Sequence, residues 1–387
     1  MRIAFVTSEF VTEPSYDGGL ANYVARVGRA LVERGHDVDV FVRSTTDEVL
    51  DHHGMTVHRV VPRWEARMRV DRIDRLCPRS LYMPYQDVKA AWALWRCWKR
   101  VQRQRAFEMV QLSNVTSVGL FFRRQKEVPM CTRLSSYFPV WQRLGGRHTG
   151  PSARMRRWMQ RRALSRARFA YAPTRVVADQ VRDHYGVGAM QVIATPYFQE
   201  TEIPEGEPEG DLPSGPFTLF FGRKNRAKGI DVLRAAAPGF LEACPDWSLV
   251  CIGKGNGDGA GMDRWVDLDA MPHERLYQWV REAAFVVLPS VADHLPNAAL
   301  ESMGLGTPVL TTVEAGLGDL VNEGEAGWVV AAGDSEALET RLIEVAQLSP
   351  EERARQGEVA RERVASLRPE RSIPRLMEYF ESVRERW

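Results

Sequence analysis

Long apolar runs are missing from this 387-residue chain. None approaches the ~18–20 consecutive apolar residues that a membrane-spanning helix requires, so no transmembrane anchor is expected. The opening stretch MRIAFVTSEF has one arginine and a short apolar segment cut by Glu9, which predicts a first β-strand and not a secretion signal. Cysteine is scarce. Cys77, Cys97, Cys131, Cys244 and Cys251 are odd in number, scattered and nowhere in C-x-x-C spacing. They predict free thiols in a reducing cytoplasm and exclude a cysteine zinc site. No His and carboxylate cluster has ligand spacing, so no metal site is expected. No nucleic-acid motif is present, so no nucleic-acid partner is expected. No Gly-x-Gly-x-x-Gly turn follows the first strand, which argues against a Rossmann dehydrogenase.

What is present is a length suited to two domains, or three, and an apolar fraction of 44%, ordinary for a globular protein. Charge is shared unevenly. Residues 1–200 hold 33 Lys/Arg against 18 Asp/Glu, whereas residues 201–387 hold 19 against 32. Opposite signs help two halves face each other. Alternatively, the basic half meets an anionic partner, a membrane surface or a charged acceptor. Two basic stretches also carry tryptophan: 63–105, with Trp64, Trp92, Trp95 and Trp98, and 137–168, with Trp158 beside Met155, Arg156 and Arg157. A basic amphipathic helix with tryptophan can lie on an anionic membrane. The competing reading packs the tryptophans into the core and leaves the arginines in water.

Patterning predicts an α/β chain. Arg2–Ser8 reads as a buried strand, and Tyr16-Asp17-Gly18-Gly19 opens a helix whose Leu20, Val24, Val27 and Leu31 share a face. Gly35 ends that helix and Val38–Val42 starts the next strand. Such a βαβ unit implies a parallel sheet with right-handed crossovers. Its Gly-Gly turn either admits a ligand close to the backbone or is plain turn chemistry. Phe169–Pro173 reads as a further strand, followed by a helix around 176–185. The acidic, Pro- and Gly-rich stretch Gln199–Pro216 fits no packed element and reads as a linker. Strands at Phe217–Phe221 and Trp247–Ile252 follow, elements alternate to about 330, and 372–387 reads as a final helix.

The rest of the chain is organised around Leu288–Leu310, LPSVADHLPNAALESMGLGTPVL. Val286–Leu288 ends an apolar strand, Pro289 and Ser290 stop it, and Pro296 suits a first helical turn. Gly304 and Gly306 offer the helix end. A helix N-terminus presents free N–H groups and partial positive charge, which suits a phosphate. Asp293 before the helix and Glu301 on it suit hydroxyl groups, as on ribose or a sugar. The bland alternative is an ordinary strand–turn–helix with surface acids.

Taken in order, these motifs resemble the retaining glycosyltransferases of family 4. Gly18-Gly19 and Arg34-Gly35-His36-Asp37-Val38 are similar to that family's glycine-pair turn and second-strand entry. Phe221-Gly222-Arg223 with Lys228-Gly229-Ile230 is similar to its GR…KG signature, and Asp293 and Glu301 fall at the paired positions of its E-x7-E motif. Thr307-Pro308-Val309-Leu310 and Ala315-Gly316 continue the pattern. There are departures. Asp293 stands where Glu is usual, Thr132-Arg133-Leu134-Ser135 lacks the His of a Thr-Arg-Leu-His-like stretch, and the His-x-His strand end reads Gln111-Leu112-Ser113. Pro196-Tyr197-Phe198 replaces Pro-Asn-Gly.

The resemblance implies a GT-B fold, two Rossmann-like doubly wound domains facing across a cleft. Residues 1–198 would form the acceptor side, with helix 372–387 packing back on it. Residues 199–216 would link it to the donor domain, 217–371, and the domains would close over the donor. It implies a retaining, metal-independent transfer from a UDP- or GDP-linked sugar to a glycan, lipid-linked or small-molecule acceptor. The enzyme would be cytoplasmic, peripheral on the inner membrane face. Arg223 and Lys228 would meet the charge of the departing diphosphate. Asp293 would hold donor-sugar hydroxyls and Glu301 the ribose. Gly18, Gly19, Gly222, Leu295, Pro296 and Asn297 would complete the donor site, with the base near Gly253 and residues 268–271. The alternatives are a catalytically weak nucleotide-sugar-binding protein and a sugar-nucleotide epimerase on the same fold.

Overall fold

Every side chain of Arg2–Thr7 (β1) is buried, as a strand covered on both faces requires. The computed structural model describes residues 1–14, 18–64, 77–122, 127–135, 138–142, 144, 149–165, 167–188, 190–199, 212–257, 259 and 261–387. Tyr16, Asp17 and most of the expected linker therefore lie outside the described residues. The chain divides into two units, Met1–Pro196 with Pro369–Trp387, and Tyr197–Arg368.

The first unit is built on β1, β2 (Asp37–Arg43), β3 (Glu48–His52), β4 (Met55–Val60), β5 (Met109–Ser113), β6 (Met130–Arg133), β7 (Ala170–Ala172) and β8 (Gln191–Val192). Their order is β3-β4-β2-β1-β5-β6-β7-β8, parallel except for β3 against β4. Ile3 pairs with Val38 on one side and Met109 on the other. The helix Gly19–Val32 buries Leu20, Val24, Val27 and Leu31 against the sheet, the face its 3.6-residue period predicts.

The second unit carries β9 (Phe217–Phe221), β10 (Ser248–Ile252), β11 (Trp265–Leu268), β12 (Phe285–Leu288), β13 (Val309–Thr312) and β14 (Gly327–Val330). All are parallel, in the order β11-β10-β9-β12-β13-β14. Phe220, Leu233, Phe240, Leu249, Phe285 and Trp328 centre its core. In each unit the strand order reverses once, between β1 and β5 and between β9 and β12. Open α/β sheets bind ligands at such switch points, outside the carboxyl ends of the strands.

The last helix runs Pro369–Arg386, three residues earlier than the periodicity suggests, because proline suits a first helical turn. It belongs to the first unit. Ile373, Leu376, Phe380 and Val383 are buried, and Tyr379 meets Tyr171 edge-on at 5.2 Å.

One alternative is decided here and one expectation is corrected. Trp98 is 1% exposed in a core with Val6, Leu94 and Phe122, and Trp95 packs against that core. Trp92 lies against Trp64, Trp95 and Phe121. The tryptophans of the helix Tyr82–Gln104 therefore face protein, not a membrane, since its buried stripe also holds Ala90, Ala91 and Leu94. Pro296 is the N-cap of its helix and not the first helical residue, with φ −65° and ψ 123°. Among the described residues no helix is long and apolar enough to cross a membrane, and the five cysteines are free.

Candidate active site

The loop after β9 is held from both sides. Lys224 is buried, pairs with Asp267 and donates to the Leu268 carbonyl at 2.6 Å. Asn225 turns the chain by accepting from the Lys228 N–H at 3.0 Å, a local Asx-type bond. Gly229 follows with φ +78°, and a Cβ there would lie 1.9 Å from the Pro289 carbonyl oxygen. Glycine is thus required twice, for the left-handed backbone and for the close approach of the loop after β12. The Ala227 carbonyl completes the contact by accepting from the Val291 and Ala292 N–H groups at 2.9 and 3.1 Å.

The loop after β12 is anchored from β13, whose Thr311 and Thr312 hydroxyls donate to the Leu288 and Ser290 carbonyls at 3.2 and 2.8 Å. Two loops so pinned bring together residues 65 apart in sequence: Lys228 Nζ pairs with Asp293 Oδ2. Asp293 Oδ1 also accepts from the His294 N–H at 2.9 Å. Burial acts to raise the Asp293 carboxyl, but the Lys228 ammonium and the two hydrogen bonds outweigh it and hold the group below its ordinary value.

The helix Asn297–Gly304 starts immediately afterwards, without a side-chain cap. The Ala299 N–H donates to the Pro296 carbonyl at 3.0 Å, which leaves the N–H groups of Asn297 and Ala298 as the helix's own candidates for an external acceptor. Leu295 and Asn297 are half-buried and Pro296 is buried. Asn297 and Glu301 are four apart and therefore share a helix face. Lys228 and Asp293 are joined directly, Arg223 is exposed on the same β9 loop, and Gly222 has φ +128° at its start. Gly253 has a structural duty of its own: a Cβ on it would lie 1.8 Å from the Gly222 carbonyl oxygen. Among the described residues no three His, Cys, Asp or Glu side chains gather as metal ligands.

In the first unit Gly18 and Gly19 begin a helix, but the turn is not an open seat for a phosphate. A Cβ on Gly18 would lie 2.7 Å from the carboxylate of Glu9, so an acid of the chain already meets the helix's positive end. Sequence reasoning missed Glu9, Lys224, Asp267 and Asn225. Asn225 could have been read as a turn former; the others act through contacts that no spacing encodes.

The residues 215–347 match a family described as "Glycosyl transferases group 1", and residues 18–197 match a "Glycosyl transferase 4-like domain". The chain is 27% identical to a D-inositol 3-phosphate glycosyltransferase of Nocardiopsis dassonvillei, over 94% of this chain and 89% of that protein. Among solved structures, sucrose-phosphate synthase from Thermosynechococcus elongatus superposes with a TM-score of 0.76 at 20% identity, covering 99% of this chain and 98% of that one. Anabaena Alr3699/HepE, solved in complex with UDP-glucose, superposes at 0.66 with 14% identity over 99% and 100% of the two chains. At these identities the structural likeness is one of fold.

Proposed function

Because the chain belongs to family 4 of the glycosyltransferases and has the GT-B fold, we propose that it moves a sugar, with retention and without a metal, from a UDP- or GDP-linked donor to a hydroxyl of a phosphorylated polyol or a lipid-linked acceptor. The observation that carries this reading is the Lys228–Asp293 pair at the β9/β12 switch point, beside exposed Arg223 and an uncapped helix start. Breaking the bond between the sugar and the diphosphate adds negative charge to the leaving group. Arg223 as a fork, Lys228 as a point charge and the N–H groups after Pro296 are suited to that charge. Asp293, kept ionised, accepts hydrogen bonds from sugar hydroxyls, and Glu301 does so for ribose. Gly222 and Gly253 let the backbone approach the nucleotide. The relative's name makes an inositol phosphate the first acceptor to test.

The test is incubation of the purified chain with UDP- and GDP-sugars, an inositol phosphate and EDTA, followed by NMR assignment of the product anomer. Retained configuration with activity unaffected by EDTA is expected. Inversion would overturn retention, and a strict Mg²⁺ or Mn²⁺ requirement would overturn the metal-free reading. Donor binding without transfer to any acceptor would leave a nucleotide-sugar-binding protein.

A second reading places the enzyme on an anionic membrane. On the helix Gly150–Leu164, Met155 and Trp158 are 40% and 58% exposed, among exposed Arg154, Arg157, Arg161 and Arg162. The turn Arg79–Leu81 packs against this helix, and the next residues, Tyr82 and Met83, are 49% and 52% exposed. Arginines near anionic headgroups contribute about 1 kcal/mol each, with tryptophan at the interface. Co-sedimentation with anionic but not neutral vesicles, weakened by salt, is expected; absence from both would remove the reading.

A further inference from the structure

Among the described residues three arginines are almost fully buried: Arg2, Arg133 and Arg353 at 8%, 5% and 7% exposure. Two have their charge answered. Arg2 pairs with Asp39 at 3.0 Å, and Arg353 donates to the Val345, Ala346 and Leu348 carbonyls at the end of the helix Ser335–Gln347, where the helix dipole is negative. Arg133, the last residue of β6, has only neutral partners. Its Nη1 donates to the Ser135 hydroxyl at 2.5 Å and its Nη2 to the Thr195 hydroxyl at 2.9 Å. Its guanidinium lies 3.6 Å from the centre of the Tyr23 ring. Among the described residues no carboxylate comes within ion-pair distance of it. These two bonds use two of the five N–H groups of a guanidinium.

The surroundings hold this cation in place. The Tyr23 and Tyr171 hydroxyls are 2.9 Å apart, and Tyr171 donates to Gln111 Oε1 at 2.6 Å, which fixes the ring under the guanidinium. The Ser135 N–H donates to Asn114 Oδ1 at 2.8 Å, tying the β6 and β5 ends together. Directly after β5, Thr116 and Ser117 have φ of 51° and 58°, left-handed conformations that non-glycine residues, and threonine above all, adopt only under strain. A buried charge without a counter-charge is costly. Here it stands at the carboxyl end of β6, next to the β1/β5 switch point where an open α/β sheet takes its ligand.

We propose that Arg133, with the hydroxyls of Ser135 and Thr195, is a subsite for the phosphate group of the acceptor. A phosphate oxygen would take the fork of Arg133 while both hydroxyls turn to donate to it. The subsite rests on the transferase reading above, but it is distinguishable from it. The same chemistry could come from a soluble phosphorylated polyol or from a phospholipid headgroup.

With a saturating donor, Arg133→Gln and Arg133→Lys should each raise the KM for inositol phosphate by about 30-fold or more. The donor KM should stay near the wild-type value, and the preference over unphosphorylated inositol should be lost. Ser135→Ala should raise the acceptor KM less, and it serves if the Arg133 variants do not fold. Running inositol phosphate against phosphatidylinositol vesicles identifies the source. Independently of turnover, titration calorimetry with inorganic phosphate, UDP filling the donor side, should show binding to the wild type that is lost in Arg133→Gln and weakened in Ser135→Ala. Phosphate binding that survives in these variants, no phosphate binding to the wild type, or unchanged acceptor KM would overturn the subsite. Failure of all sugar transfer with phosphate binding at Arg133 intact would overturn the transferase reading instead.

Discussion

At the scale of single residues, Arg223 and Lys228 sit on one loop but differ in what they support. Arg223 is exposed, so Arg223→Ala should lower turnover by roughly 10²–10³-fold, the usual loss for one transition-state donor, with a smaller loss of stability than Lys228→Ala causes. Lys228→Ala should lower turnover similarly and also destabilise the fold by about 1–3 kcal/mol, since it strands a largely buried carboxylate. Steady-state kinetics alongside urea unfolding of both variants separates the two effects. Wild-type turnover in both would remove them from the donor site. The pair also sets a pH dependence. Asp293 is held below its ordinary 3.8 in the folded state, so its contribution is present above that value and is lost as the pH falls through the folded value. A double-mutant cycle with Lys228→Ala and Asp293→Asn should show full coupling at pH 7 and a declining one in acid. Coupling that grows on acidification would contradict the sign.

At the scale of elements, the site depends on two loops pressed together at one glycine. Gly229→Ala puts a side chain on a left-handed backbone and a Cβ 1.9 Å from the Pro289 carbonyl. Left-handed backbone alone costs ~1–2 kcal/mol, and the clash must push the β12 loop away. Gly229→Ala should therefore reduce both stability and donor affinity, whereas Gly261→Ala, also at positive φ but with nothing near its Cβ, should reduce stability only. Chemical denaturation with nucleotide-sugar titration measures both. Equal donor affinity in the two variants would show that the loop contact does not shape the site. The strands read from the sequence were legible because their apolar runs are short and bounded by Gly, Pro or Asp, whereas β3, β4, β8 and β11, which are partly exposed or carry charged residues, were not read. Phe217–Phe221 is read with both ends correct, whereas Trp247 lies just outside β10.

At the scale of the whole molecule, the last helix belongs to the unit that holds the N-terminus. It buries Ile373, Leu376, Phe380 and Val383, each worth about 1.5–3 kcal/mol when removed from water. Truncation before Pro369 should therefore destabilise the first unit and spare the second. Hydrogen exchange should accelerate in β6 and β7 and stay unchanged in β9 to β13. Uniform acceleration across both sheets would show that the units unfold together.

The sequence alone determined the α/β alternation, the two-part organisation, and the residue types at the candidate donor site, because strand runs, helix periodicity and Gly/Pro turns are local properties of the chain. It carried Asp293 and Glu301 as carboxylates about one helix start, and Gly222, Arg223 and Lys228 through the resemblance of their motif to that of family 4. Only the tertiary structure decided which of them touch. The Lys228–Asp293 pair exists because strand order places β9 beside β12, and order within a sheet is not written in any window of sequence. The same holds for Trp92, Trp95 and Trp98, whose stripe reads alike for a core and for a membrane face until a sheet is found to cover it. It holds too for Glu9 at the Gly18 turn and for Arg133, whose lack of a counter-charge is a property of what the fold packs around it.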